Sequence, residues 1–559
     1  MNRIAHLGCV VVGLLIARSA LAEGGVLSVV SVDPPPHSMI AGVDTPVRVT
    51  FDQPVDPDSV VLGTSFMVFG RWSGPASGTI AFSDGDTTLT FTPDWPFSAG
   101  ETVMVGLSHD VRTPGGVHLR AAGYACQFWT RTKSAAMIWD EVQVLDVGPD
   151  GRVQTYGGIA TDLDGDHFLD ITTVNEISAD LRVFMSRGDF TGLFRDFNRP
   201  PYPVNDRASP SEPADFNADG VPDICVANIN TSTVSILLGV GDGTFAPQQQ
   251  VAVGGGPRGI AVLDVDGDGD MDIVNTNSGS SNLSLLINDG EGVFTRHGFF
   301  EGGCSGEWAL AAGDMDDDGV LDLVVGCRSS QQIRVLINNG DRTFTQAGIQ
   351  PSDGGVWMLV LGDVDGNRTE DVAVVNGFSN RAAILKGDGK GGLAPPVRYA
   401  TDPFCLATDL ADLDGDGDLD WITSSYSGDW FVFTNNGLGV FRHTGTFASP
   451  RAASCSLALD VDNDGDLDLA LIDEIEDVVL IEINTGTTIF KGDLTFDCKV
   501  TGSDYKYMAS TCLSGPGACA PPACGVFDFD DDCDVDVRDY AALQAAFTGE
   551  NRTIPGCLP

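Results

Sequence analysis

The residues best placed to do chemistry in this chain are aspartates. In Asp264-Val265-Asp266-Gly267-Asp268-Gly269-Asp270-Met271-Asp272-Ile273, carboxylates stand at the first, third, fifth and ninth positions. Alternate side chains of a tight loop point inward, and carboxylate oxygens are the donors a hard cation prefers, so the stretch reads as a Ca²⁺ loop. The pattern recurs from Asp162, Asp215, Asp314, Asp363, Asp412 and Asp460; with Asp264 included, the seven starts are separated by 53, 49, 50, 49, 49 and 48 residues. Seven copies at one period predict a repeat architecture.

The candidate ligand sets follow the spacing. They are Asp162, Asp164, Asp166 and Asp170; Asp215, Asn217, Asp219 and Asp223; Asp264, Asp266, Asp268 and Asp272; Asp314, Asp316, Asp318 and Asp322; Asp363, Asp365, Asn367 and Asp371; Asp412, Asp414, Asp416 and Asp420; and Asp460, Asp462, Asp464 and Asp468. Four of these loops, from Asp264, Asp314, Asp412 and Asp460, carry both four aspartates at the ligand positions and Gly at the sixth position, where a turn with positive φ favours it. The sixth position is His167 in the first loop and Arg368, beside Asn367, in the fifth. A positive side chain beside a weaker cage predicts the lowest affinity for the loop from Asp363. Two further acidic stretches have EF-hand spacing: one offers Asp493, Asp497 and Asp504, the other Asp528, Asp530, Asp532, Asp534 and Asp539. About seven Ca²⁺ are expected in the repeats and up to about two in the tail.

Acid–base or nucleophilic catalysis usually relies on a histidine within hydrogen-bond reach. His37, His109, His118, His167, His297 and His443 are scattered, and the chain has no G-x-S-x-G, H-E-x-x-H or phosphate-cradling loop. Most carboxylates belong to ion loops, where a bound cation would keep them ionised. No catalytic residue is named.

The elements that must hold the loops are strands. Gly259-Ile260-Ala261-Val262-Leu263 enters a loop, Ile273-Val274 leaves it, Leu283-Ser284-Leu285-Leu286-Ile287 follows, and a Gly-rich turn ends in Phe294. Each period is thus one small antiparallel sheet. Such a sheet cannot hide both faces alone, and seven set radially close a ring without a long exposed edge, which predicts a seven-bladed β-propeller. The residue six before each loop's first Asp is Tyr156, Ser209, Arg258, Trp308, Trp357, Leu406 or Ser454, at the strand end away from the loops. Tyr156, Arg258, Trp308 and Trp357 would form a partly aromatic, ligand-binding rim suited to sugar rings or a peptide; the alternative is that they wedge between blades.

Length and composition agree with a mainly β, multidomain chain: 559 residues with 68 Gly, 29 Pro and 8% aromatic residues suit short strands and tight turns. A net charge of −48 argues against nucleic acid. Of 79 acidic residues, 41 lie in the candidate loops, so the acidity is placed periodically and bound cations would cancel much of its self-repulsion.

The loop, its flanking strands and the Gly-x-Gly-x-Phe turn (Gly241-Asp242-Gly243-Thr244-Phe245 among them) resemble the FG-GAP or VCBS repeat, the blade of integrin α-subunit propellers and of many secreted bacterial proteins. That resemblance implies Ca²⁺ in the loops, and we expect the segment at 139–147 to complete the last blade. Val49-Thr50-Phe51-Asp52-Gln53-Pro54-Val55-Asp56, Leu89-Thr90-Phe91-Thr92-Pro93 and Phe128-Trp129-Thr130 resemble bacterial Ig-like domains, which usually act as spacers or stalks. The tail resembles a dockerin, implying a cohesin-like partner, although Cys498 and Cys533 replace the loop glycine and Thr495 an acidic residue.

Arg3, the apolar run 7–17 and Ala20-Leu21-Ala22 before Glu23 predict a secretory signal peptide. No later segment has the roughly 18 consecutive apolar residues of a membrane span. Secretion makes disulfides plausible: Cys304 and Cys327 flank one loop and could bridge adjacent strands, while Cys498, Cys512, Cys519, Cys524, Cys533 and Cys557 leave about 15 connectivities open. The expected organisation is a signal peptide over 1–22, an Ig-like β-sandwich over 23–133, a seven-bladed propeller over 134–490 and a small α dockerin/EF-hand-like unit over 491–559. The expected function is a secreted, extracellular or cell-surface (or periplasmic), non-catalytic Ca²⁺-binding adhesion or ligand-binding protein. Its partners would be an extracellular protein or polysaccharide. The alternative is a secreted polysaccharide-active enzyme, lyase-like, with its site on the propeller.

Overall fold

The computed structural model describes residues 25–485, 491–495, 499–514, 524, 527, 529 and 535–548. The signal peptide read over 1–22 and the tail candidates Asp497, Asp528, Asp530, Asp532 and Asp534 lie outside the described residues. Among the described residues no helix is long and apolar enough to cross a membrane.

The N-terminal unit is an Ig-like pair of four-stranded antiparallel sheets. One contains Val29–Asp33, Val47–Phe51, Thr88–Pro93 and Gly78–Ser83; the other contains Gly74–Pro75, Phe66–Gly70, Thr102–Leu107 and Tyr124–Trp129. Alternation decides which face is buried. Val47, Val49 and Phe51 turn inward to meet Phe66, Phe91 and Phe128, while Arg48 points out.

Seven four-stranded antiparallel sheets follow, each a separate hydrogen-bonded unit. Their first strands are Thr155–Thr161, Ala208–Ala214, Pro257–Leu263, Glu307–Gly313, Val356–Gly362, Cys405–Ala411 and Ala453–Leu459, and each ends immediately before the first Asp of a loop. The second strands, such as Asp322–Cys327 and Asp371–Asn376, are buried along their whole length because a neighbouring sheet packs on either face. Several, such as Asp322–Cys327 and Asp371–Asn376, read as apolar runs rather than alternating ones. Each first strand lies against the next, and Ala453–Leu459 lies against Thr155–Thr161. Leu459, Ala470 and Ile472 meet Ala160, Ile171 and Phe184 there, so apolar packing joins the seventh sheet to the first. The fourth strand of the seventh sheet is Ile138–Asp146, paired antiparallel with Val478–Thr485, so an N-terminal strand completes the last sheet.

The sandwich is not a free-standing spacer. It sits on the loop ends of the sheets and touches every one of them. Asp162 N–H donates to the Trp72 carbonyl at 2.9 Å, His109 N–H to Gly267 at 2.6 Å, Ala125 N–H to Gly319 at 2.8 Å and Lys133 N–H to Gly465 at 2.8 Å. Arg71 pairs with Glu212 at 3.1 Å, His37 Nδ1 lies 3.1 Å from Glu370, and Thr132 Oγ1 donates to Asp412 at 2.9 Å. The physical reason is that the tight loops turn backbone carbonyls outward, and the sandwich supplies donors for several of them.

In the tail, α1 (Gly502–Tyr507) and α2 (Val537–Ala546) pack around Leu494, Val500, Phe527 and Leu543, with Trp95 of the sandwich against them. The second helix starts at Val537 because the Asp536 side chain caps it, accepting from Arg538 N–H. Cys304 is disulfide-bonded to Cys327, the pairing read from the sequence, and Cys512 to Cys524.

Candidate metal loops and an aromatic mouth

The seven loops share one internal geometry. An oxygen of the first Asp accepts the N–H of the sixth residue: His167 on Asp162 at 3.0 Å, Gly269 on Asp264 at 2.9 Å, Arg368 on Asp363 at 2.7 Å, and likewise in the other four. The sixth residue has positive φ in every loop, 68° at His167 and 66° at Arg368 included. The ninth-position aspartates, Asp170, Asp223, Asp272, Asp322, Asp371, Asp420 and Asp468, are all buried. Each accepts the N–H of the second loop residue on one oxygen and an N–H beside the third strand on the other, as Asp322 does from Met315 at 3.1 Å and Asn338 at 2.7 Å. These aspartates, expected as ligands, are therefore also pins that tie the loop to its sheet.

Oxygens of Asp162, Asp164 and Asp166 lie within 4.8 Å of one another. The same holds for Asp264, Asp266 and Asp272; Asp314, Asp316 and Asp322; Asp363, Asp365 and Asp371; and Asp412, Asp414 and Asp420. Oδ1 of Asp266, Asp316 and Asp365 is buried and accepts no hydrogen bond. Burial pushes the carboxyls of Asp162, Asp264 and Asp314 up to about 7 and those of Asp322 and Asp420 to about 8, with neighbouring carboxylates adding to it. Clustered hard donors with spare lone pairs fit a divalent cation, which would neutralise the cluster and cross-link the turn. In the tail, Asp504 and Asp539 close capping boxes: Asp504 accepts from Leu494 N–H at 3.0 Å and Asp539 from Phe529 N–H at 2.7 Å, and Asp493 is buried beside them.

At the opposite end of the first strands the four rim residues come together. The Arg258 guanidinium lies 4.1 Å from the Trp308 ring, Trp308 and Trp357 are 4.8 Å apart, and Trp357 Nε1 donates to the Tyr156 hydroxyl at 3.0 Å. They line one end of an axial cavity of about 330 Å³ enclosed by all seven first strands; Arg71, Trp72, Met104 and Trp129 of the sandwich line the other. Phe378, Phe404 and Tyr426 extend the aromatic cluster, Phe404 lying 5.1 Å from Trp357, 5.3 Å from Phe378 and 5.9 Å from Tyr426. Glu176 and Glu474 complete the mouth, both accepting from Gln154 Nε2, at 3.0 and 2.7 Å.

The FG-GAP-like repeat model matches residues 162–226, 215–275, 264–325, 314–374, 363–423 and 412–471, together more than half of the chain. The chain belongs to the FG-GAP-like repeat family. The bacterial Ig-like domain model matches residues 25–130. No curated protein matches. Among solved structures, a lectin of Agrocybe aegerita described as recognising non-reducing terminal N-acetylglucosamine is 20% identical, with 54% of this chain and 81% of that one covered and a TM-score of 0.38. A BBS1 fragment in complex with ARL6 is 15% identical over 64% of this chain and 99% of that one, with a TM-score of 0.45. A Lactobacillus plantarum protein is 12% identical over 70% and 98%, with a TM-score of 0.41. Identity this low says nothing about a shared ligand.

Two features of this FG-GAP-like chain escape the motif itself. Arg328, Tyr426, Glu176 and Glu474 each directly follow a second strand, and Phe378 follows one by two residues, so their convergence on the mouth depends on strand register. The loop from Asp363 departs most from the pattern: Lys386 Nζ holds Asp365 at 2.9 Å, and Arg368 carries a positive φ that costs an L-residue about 1–2 kcal/mol. Arg368→Gly should therefore stabilise the chain by about 0.5–1 kcal/mol, less than the full strain because glycine loosens the unfolded chain. Thermal unfolding checks the gain, and a lower melting temperature would refute it.

Proposed function

We propose that this is a secreted, non-catalytic protein that binds its ligand at the mouth of a seven-bladed β-propeller whose loops hold Ca²⁺. Supporting the propeller are the seven sheets in succession, the packing of the seventh on the first and the strand at 138–146 that completes it. Supporting Ca²⁺ are the clustered carboxylates with unshared buried oxygens. The observation that carries the binding function is the gathering of Tyr156, Arg258, Trp308 and Trp357 with three further aromatic rings at the end away from the loops. Among the described residues no histidine lines the cavity, and burial pushes the Tyr156 hydroxyl up to about 12, which makes it a hydrogen-bond donor rather than a base at neutral pH. In this reading the tail is a dockerin-like, Ca²⁺-stapled docking unit for an extracellular partner, and the sandwich is a cap that holds the loop face closed.

Trp357 touches Tyr156, Trp308, Phe378 and Phe404, so its removal dismantles the mouth without reaching the loops. Trp357→Ala should weaken ligand binding by about tenfold or more. A glycan and peptide array probed with wild-type and variant protein is the test; equal retention by the two overturns the reading.

A further inference from the structure

Acid outnumbers base in this chain by 79 residues to 31, and most arginines near the mouth and cavity are matched by a carboxylate. Arg207 pairs with Glu176 at 3.1 Å, Arg71 with Glu212 at 3.1 Å and Arg182 with Asp180 at 3.2 Å. Arg258 and Arg328 are different. They flank the Trp308 ring at 4.1 and 4.3 Å, and Arg328 also lies 4.8 Å from Trp357 and 4.9 Å from Phe378. Among the described residues neither forms an ion pair, and Arg258 Nε is buried without a hydrogen-bond partner.

A guanidinium held over an aromatic face by its carbon can still direct N–H groups to a ligand, and those groups match a carboxylate in fork geometry. Beside the two cations stand ring faces, with Phe378 60% and Tyr426 37% exposed, and two buried acceptors, Glu176 and Glu474. A ligand that satisfies all three carries one carboxylate, a flat apolar ring face and hydroxyl donors. We infer that the mouth binds a carboxylate-bearing sugar, a uronate. Arg258 and Arg328 take its carboxylate, the aromatic cluster stacks on its ring, and Glu176 and Glu474 accept from its hydroxyls. An acidic peptide meets the same arginines, but its run of carboxylates would face Glu176 and Glu474 with no hydroxyl to donate to them.

This assignment rests on the mouth being the ligand site, and the test separates the two claims. Calorimetric titration of the full chain would use trigalacturonate, its methyl ester and a triglutamate peptide. Wild-type protein should bind the acid at least about tenfold tighter than the ester, a difference of about 1.4 kcal/mol. Arg258→Gln and Arg328→Gln should each erase that preference while the melting temperature stays unchanged, and Arg258→Lys should keep part of it. Equal affinity for acid and ester, lost in Trp357→Ala, overturns the uronate assignment and leaves the mouth as the ligand site. Tighter binding of the peptide, or no binding of either sugar, also overturns the assignment. Acid-selective binding that Trp357→Ala does not weaken overturns the mouth itself.

Discussion

Stripping divalent cations from the protein should lower its melting temperature by more than about 10 °C at neutral pH. Each loop occupied at a hundredfold its dissociation constant adds about 2.7 kcal/mol to the folded state, and the seven loops lie on successive sheets packed one against the next. Without the cation, the clustered oxygens of sets such as Asp314, Asp316 and Asp322 are left to repel one another beneath the sandwich. The collapse is not complete, because the ninth-position aspartates hold their backbone donors without any metal. Scanning calorimetry with Ca²⁺ and with chelator reads the difference, and coincident transitions would refute Ca²⁺ in the loops.

The same prediction carries a pH dependence. A carboxyl whose folded pKa lies above its unfolded value stabilises the fold fully below the unfolded value, near about 4, and that contribution is lost as pH rises through the folded one. With Asp162, Asp264 and Asp314 at about 7 and Asp322 and Asp420 at about 8, cation-free protein should lose stability steadily from about pH 5 to pH 8. Bound Ca²⁺ favours the ionised form and competes with the protons. The gap between the two melting curves should therefore widen over that range; a constant gap would mean that these carboxyls do not titrate with the loops.

What could be read in advance depended on which atoms carry the information. The loops were legible because side-chain type and spacing specify them, down to the positive φ that favours glycine at the sixth position. Tyr156, Arg258, Trp308 and Trp357 were legible because a fixed offset from each loop places them at one end of a first strand. Arg328, Phe378 and Tyr426 were not, because they enter the mouth through the pairing of second strands with first ones, which no single segment encodes. The docking of the sandwich was invisible for a different reason. Its contacts at Gly267, Gly319 and Gly465 are backbone to backbone, and a carbonyl leaves no mark in the residue type. Cys304 and Cys327 could be paired because they flank one loop, whereas Cys512 and Cys524 were lost among the pairings open to six cysteines.

Arg71→Met should loosen the sandwich from the sheets at a cost of about 1–2 kcal/mol. Arg71 is the one cation the sandwich sends into the axial cavity, where it meets Glu212 at 3.1 Å and lies within electrostatic reach of Asp409. Burial pushes Asp409 up to about 6 even though Arg71 opposes the shift, so without the guanidinium two carboxylates would share one enclosed cavity with no cation between them. Half of the Arg71 side chain faces the cavity rather than protein atoms, and water there screens the loss, which holds the cost to the lower end for an enclosed pair. The loss should recover if the acid goes too: Arg71→Met with Glu212→Gln should approach wild-type stability, a coupling that independent sites do not show. Thermal unfolding of the four proteins, with limited proteolysis of the connection at residues 133–137, separates a released sandwich from a weakened ring. Faster cleavage in Arg71→Met alone, reversed in the double variant, is the expected result; an unchanged melting temperature and cleavage rate would mean that backbone contacts to the loops hold the cap without this charge.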